Sequence, residues 1–379
     1  MFKNKIYKYL SSEIFKNFIT ILLTFSAIAW VVRAVNFLDL MVESGYSSSI
    51  YFKYSILNIT TIITRFVPLA FLLSLTISII KFERQQELLI LWTTGLGKIK
   101  VANIFLLISF YITLFQLTLS LFVNPYLLNK SRSLLSNTDG LQINTVLKSN
   151  EFVDAYRGIT FYIEKKNSNN ELLNIFIKDS SGNLTTGMDN VDDKKDSTII
   201  AEKGFVANGK LILYNGMMQT LNEKNEIKNI FFEKTELALN NVSTRTIKLP
   251  KIQETSTYLL FRCIYEKNSN LEITNCSKED GYKSVAIQDL ARRVGAPLYI
   301  PLVSIITSFL LFYKKEKTYN FLKKYVLFIL SFIILIFAEI LLKYTGLSIF
   351  VAASYFAVPI TISFIFYAYL FKKIKSEKI

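Results

Sequence analysis

Six apolar runs divide the chain, three before residue 126 and three after residue 285. They cover about 18–35, 54–80, 101–123, 286–312, 325–342 and 349–371, and each is long enough to cross a bilayer as a helix. Arg65 and Pro68 interrupt the second run, and Asn124-Pro125 closes the third. Arg292-Arg293 opens the fourth. The fifth carries Glu339 with Lys343 one turn on, a spacing that permits an ion pair.

Between the two triplets the period changes from helical to two. Ile159, Phe161 and Ile163 alternate with Thr160, Tyr162 and Glu164; Leu173, Ile175 and Ile177 alternate with Asn174 and Lys178; Leu211 and Leu213 alternate with Ile212 and Tyr214. These are half-buried strands. Turn signals separate them, with Asn208-Gly209 and Asn215-Gly216 as hairpin dipeptides of the type I′ kind. Residues 187–197 read as a loop, and 254–266 as a helix leading back toward the bilayer. The middle therefore predicts an all-β sandwich or jelly roll outside the membrane. The fold class is an α-helical integral membrane protein with six transmembrane helices plus an extracytoplasmic all-β jelly-roll domain. Its parts are 1–125, 126–285 and 286–379.

One polar-fronted stretch, 81–95, lies between the second and third runs. The spacing predicts a short helix over about 82–96 that places Leu88, Leu91 and Trp92 on one face and Glu83, Gln86 and Glu87 in the first turn, with Gly95 as the stop. Such a helix is suited to dock in a partner's groove. An amphipathic loop helix resting on lipid headgroups has the same pattern.

Charge fixes the orientation. The net charge is +15, yet residues 126–285 hold 21 basic and 20 acidic residues, leaving 23 basic against 9 acidic on the membrane-flanking parts. This is a positive-inside distribution and not a nucleic-acid patch, and it predicts both termini in the cytoplasm. Arg33, near the outer end of the first run, either snorkels to the far interface or faces a cavity that takes an anionic ligand. The chain has no histidine, which removes the commonest general base and metal ligand. Its two cysteines, Cys263 and Cys276, fall in the extracytoplasmic part, where a disulfide would close a loop of 12 intervening residues and two free thiols are the alternative.

In their order along the chain these motifs resemble the lipopolysaccharide-export permeases of the LptF/LptG type. Glu87-Leu88, Leu91 and Gly95 look like the family's E-[LM]-x-x-[LM]-x-x-x-G coupling helix. Thr198-Ile199-Ile200-Ala201, Gly204 and the run from Gly209 to Gly216 resemble its periplasmic jelly roll, and Ala291-Arg292-Arg293 with Pro297-Leu298 the start of its fourth span. The strand Ile159-Thr160-Phe161-Tyr162-Ile163-Glu164 and the position of Arg33 are nearer to LptF than to LptG.

The resemblance implies a non-catalytic subunit of a Gram-negative inner-membrane ABC transporter, with no cofactor and no metal. Its partners would be a cytoplasmic ATPase dimer, which hydrolyses the ATP, a paralogous LptG-type permease and a periplasmic jelly-roll bridge. Lipopolysaccharide would be the cargo. Glu83, Glu87, Leu88, Leu91 and Gly95 would then engage the ATPase. Arg33, with Trp30 and Phe37, would meet the lipid, Arg33 pairing a lipid A phosphate. Two other classes share parts of the pattern. A mechanotransmitting permease would drive an extracytoplasmic partner without moving lipid, and a membrane sensor would need a cytoplasmic signalling module that the short inner loops do not supply.

Overall fold

The computed structural model describes residues 2–42, 46–136, 147, 149–156, 158–167, 171–180, 184, 196–207, 210–221, 227–238, 251–265, 281–312 and 318–376. It forms two compact units, one of Met1–Val32, Leu57–Asn129 and Leu249–Ile379, the other of Arg33–Ile56 and Lys130–Lys248.

The first unit is helical. Its long elements are α1 (Phe2–Asn36, which runs on into the second unit), α4 (Ile59–Arg84), α6 (Lys98–Thr118), α10 (Tyr299–Ser308), α11 (Thr318–Tyr344) and α12 (Ile349–Ser376). Its shorter helices are α5 (Glu87–Thr93), α7 (Asn124–Ser136, which runs on into the second unit), α8 (Thr257–Tyr265) and α9 (Gly281–Leu290), while α2 (Asp39–Val42) and all but the last residue of α3 (Ser48–Leu57) belong to the second unit. Six stretches are long and apolar enough to span a membrane: Lys5–Asn36, Ser48–Arg84, Lys98–Leu135, Lys283–Phe312, Tyr325–Tyr344 and Ile349–Lys373.

The second and fourth spans are the most enclosed. Val67, Phe71, Leu75, Ile79 and Phe82 recur along one side of α4 and pack with Leu10, Ile14 and Phe18 of α1 and Phe105 and Ile112 of α6. In lipid there is no water to satisfy a hydroxyl, so the buried Ser74, Thr76, Thr307 and Ser308 donate back to carbonyls one turn earlier in their own helices. Their small size also lets the central helices approach closely.

The third span does not end at Asn124-Pro125. A π-helical turn, Leu119–Val123, follows α6, and the chain then continues into α7. Pro125 lies inside this continuous helix, and the Leu121 carbonyl that its missing N–H would have met accepts instead from Thr257 Oγ1 at 2.7 Å. The helix expected over about 254–266 is α8, Thr257–Tyr265, preceded by a 3₁₀ turn, Ile252–Glu254.

The β strands all belong to the second unit. β1 (Phe152–Tyr156), β2 (Ile159–Lys166), β3 (Leu172–Asp179), β4 (Ser197–Ala207), β5 (Lys210–Leu221) and β6 (Ile227–Ala238) form one open antiparallel sheet in sequential order. Ile159, Phe161, Ile163, Ile175, Ile177, Ile199, Leu211 and Leu213 are buried in its core, as the alternation requires. Leu173 is an exception, since Leu172 takes the buried place.

That exception is part of a crease. On β3 the buried positions pass from Leu172 to Ile175, on β4 from Ala201 to Gly204 and on β5 from Leu213 to Met218, each an odd step that changes parity. Pairing continues in register on both sides of the change, through Lys165↔Leu173↔Lys203↔Tyr214 and Ile163↔Ile175↔Ala201↔Gly216↔Phe232. Asn174 and Asn215 lie between those rows with φ of 51° and 49°. Asparagine tolerates the left-handed region, and here it turns the strand so that both halves bury the same face.

Asn215-Gly216 is therefore not the hairpin turn expected from the dipeptide: it lies in the middle of β5. A Cβ on Gly216 would stand 2.3 Å from the Ile200 carbonyl oxygen and 2.5 Å from the Phe232 ring. Asn208-Gly209 lies outside the described residues, as does most of the 187–197 loop.

Candidate functional site

The stretch expected to be one helix over 82–96 is two. α4 continues through Glu83 to Arg84, Gln85 follows, and Gln86 adopts φ 60°, which stops helical propagation. Glu83 thus belongs to the last turn of α4 and Gln86 to the break, while Glu87 alone begins the seven-residue α5. Leu88, Leu91 and Trp92 share one face, as the spacing predicts, but Leu88 and Leu91 are buried in the helical core with Trp92 packed against it, so the face expected to meet a partner is turned inward. Gly95, at φ 82°, closes the helix: its N–H donates to Trp92 O at 3.1 Å, and the Leu96 N–H to Leu91 O at 3.0 Å. This is a Schellman termination, with Leu96 and Leu91 both in the same apolar cluster. The outer face of α5 offers Leu89 and Ile90, each 59% exposed.

Sequence reading missed what holds α5. The Tyr9 hydroxyl on α1 donates to Glu87 Oε1 at 2.9 Å, Lys81 pairs with Glu13, and Asn17 Nδ2 donates to Ser78 Oγ at 2.8 Å. Tyr9, Glu13 and Asn17 are spaced by four, so one polar stripe of α1 runs down α4 to α5. The Tyr9 and Phe82 rings lie 6.3 Å apart beside it, and those of Phe18 and Phe71 6.5 Å apart. The only sequence signal was that periodicity, whose partners lie more than sixty residues away.

Trp30, Arg33 and Phe37 occupy successive turns at the other end of α1, the last just beyond its final residue. Trp30 is partly buried, and its Nε1 is enclosed without a hydrogen-bond partner. Arg33 is partly buried. The Phe37 ring meets Tyr54 edge-on at 5.0 Å, and the Tyr51 hydroxyl donates to Ala34 O at 3.0 Å, fixing this turn against α3. Cys263 on α8 is buried and disulfide-bonded; Cys276 lies outside the described residues.

Arg293, read as the opening of the fourth span, lies well inside it. The fourth span leaves α-helical geometry at Ala291–Gly295, a π turn, and Ala296–Leu298, a 3₁₀ turn. Arg293 projects from the π turn with only 5% of its surface exposed. It pairs with Asp289 Oδ2 at 2.8 Å and donates from Nη1 to Thr255 O and Thr257 Oγ1, both at 3.0 Å. From Nη2 it donates to Ile252 O at 3.2 Å and Gln253 O at 3.3 Å. Four hydrogen bonds from the two terminal nitrogens, together with the Asp289 carboxylate, make this burial tolerable and clamp the 252–257 connector to the fourth span. Next to it, Gly295 faces the Tyr355 ring so closely that a Cβ would stand 2.6 Å away.

Among the described residues no group of three or more carboxylate or cysteine side chains is placed to hold a metal. A family model described as lipopolysaccharide export system permease LptF/LptG matches residues 8–373. Among curated proteins, no sequence matches the chain.

Proposed function

The chain belongs to the lipopolysaccharide export system permease LptF/LptG family, and from that membership we propose that it is the LptF-type half of the transmembrane pair. As a member of that family it is a permease subunit of the inner membrane and not itself a catalyst. In our reading a cytoplasmic ATPase dimer binds α5, an LptG-type paralogue completes the cavity, and lipopolysaccharide passes to a periplasmic jelly-roll bridge. Both termini face the cytoplasm, which the basic flanks support.

The observation that carries the reading is the construction of α5. Its inner face, Leu88 and Leu91, is set in the core, its end is locked by Gly95, and Leu89 and Ile90 face outward. A rigid short helix with an exposed apolar pair suits a groove in a partner. A push on it would pass to α4 through the chain and to α1 through Tyr9 and Glu87. Arg33, Trp30 and Phe37 lie at the far end of that same α1, where we place capture of the anionic lipid.

Copurification from mild detergent tests this. The wild-type chain should bring down an ATPase and a second permease. The double substitution Leu89→Asp with Ile90→Asp should lose the ATPase while keeping the melting temperature, because both side chains are exposed. A chain that purifies alone, or a double variant that retains the ATPase, would overturn the assignment.

A further inference from the structure

Far from α5, the helical unit carries two partly open chambers that share a wall. One, of about 360 Å³, is lined by polar groups of α4, α6, the π turns and α11; the other, of about 370 Å³, is lined mainly by apolar groups of α4, α10 and α11. Arg65, Pro68, Ala296 and Glu339 line both, so the chambers meet along that wall. Arg65 lies about 28 Å from Arg84 along α4 at 1.5 Å per residue, well away from the coupling helix.

The polar chamber is unusual for a membrane-spanning unit. Gln116, Ser120 and Asn124, spaced by four, face it from one side. Gln116 is 5% exposed, and its amide nitrogen donates to Thr64 O at 3.1 Å, but its Oε1 is buried without a partner. Asn124 repeats the arrangement: Nδ2 donates to Thr64 Oγ1 at 3.1 Å, and Oδ1 is buried and unpaired. Two enclosed acceptors call for a donor brought by a guest, since an unpaired buried acceptor is costly.

Charge sets the character of that guest. Arg65, Arg292, Arg293 and Lys343 face the two chambers against Asp289 and Glu339. Arg293 and Asp289 are committed to one another and to the connector. Arg292, partly buried, forms no hydrogen bond or ion pair among the described residues. Glu339 and Lys343 do not form the i, i+4 pair that their spacing permits. Counted whole, four basic against two acidic side chains leave a cationic excess in a site where ionisable side chains are expensive. Next door, Phe66, Leu69, Phe332, Leu335 and Ile336 line a slot with the chemistry of an acyl tail.

We propose that this double chamber binds a phosphate-bearing lipid, its phosphate on Arg292 and Arg65, its head-group hydroxyl or ammonium on Gln116 and Asn124, and one acyl tail in the slot. Every residue of the site belongs to this chain, so it is complete without a partner permease, and Arg33 is not among its lining residues. A bilayer glycerophospholipid and a phosphorylated glycolipid share this chemistry.

Native mass spectrometry of the full-length delipidated chain, with no partner and no ATP, measures retention directly. The probes are phosphatidylglycerol, lipid A and a diacylglycerol with the same tails. Wild type should retain a phosphate lipid and not diacylglycerol. Stronger retention of phosphatidylglycerol assigns the site to a bilayer lipid, and stronger retention of lipid A to the exported class. Arg292→Gln should weaken retention about tenfold, the worth of one charge-assisted hydrogen bond, while Arg292→Lys, which keeps the charge, should retain most of it at an unchanged melting temperature. Equal retention by wild type and Arg292→Gln, or of diacylglycerol and phosphatidylglycerol, would overturn the proposal. Because no transport is measured, failure of the export reading leaves this outcome untouched.

Discussion

Two residues show how one chemical property serves different structural ends. Asparagine before glycine signals a hairpin because both tolerate positive φ. At Asn215 the same tolerance is spent in mid-strand, where the sheet creases, and Gly216 is required by its neighbours: any side chain meets the Ile200 carbonyl. Gly216→Val should destabilise the β unit by about 1–3 kcal/mol, the usual cost of overpacking, as read by thermal unfolding of the purified chain. An unchanged melting curve would contradict the packing at the crease. Arg293 is the opposite case, a charge read at the opening of a span that proves buried. Arg293→Met strands Asp289 without its counterion and frees four acceptors of the connector, which should cost about 3–5 kcal/mol. Limited proteolysis should then cut within 252–257, and a connector as resistant as wild type would show that the clamp is dispensable.

At the scale of elements, α5 is legible from sequence as an amphipathic face but not as an element tied to α1. The i, i+3 pattern of Leu88 and Leu91 survives into the core. The break at Gln86 does not announce itself, because glutamine is an ordinary helix former and only tertiary packing sets its φ of 60°. Tyr9→Phe removes one hydroxyl and keeps the ring beside Phe82, so stability should change little. If the Tyr9–Glu87 bond carries motion from α5 to α1, this variant should lower lipid export several-fold while ATP hydrolysis by the complex persists. Export at the wild-type rate would place the coupling elsewhere.

For the whole molecule, the six spans and the strands β2, β3 and part of β5 could be read because apolar runs and alternation are properties of neighbouring residues. The polar stripe of Tyr9, Glu13 and Asn17, the Arg293 clamp and the double chamber could not, since each is made by groups that only folding brings together. The π turns at Leu119–Val123 and Ala291–Gly295 were equally silent: each changes backbone hydrogen bonding without changing hydropathy.

The central claim is that this family member converts work at α5 into movement of lipopolysaccharide, and ATP-driven release from proteoliposomes tests it most directly. The chain would be reconstituted with its copurified permease and ATPase partners, and lipopolysaccharide transferred to a soluble jelly-roll acceptor would be counted alongside phosphate produced. Wild type should release lipid only when ATP is hydrolysed, and Glu87→Lys should hydrolyse ATP without release. Lipid release that ignores ATP, or a Glu87→Lys complex that exports at the wild-type rate, would contradict the account.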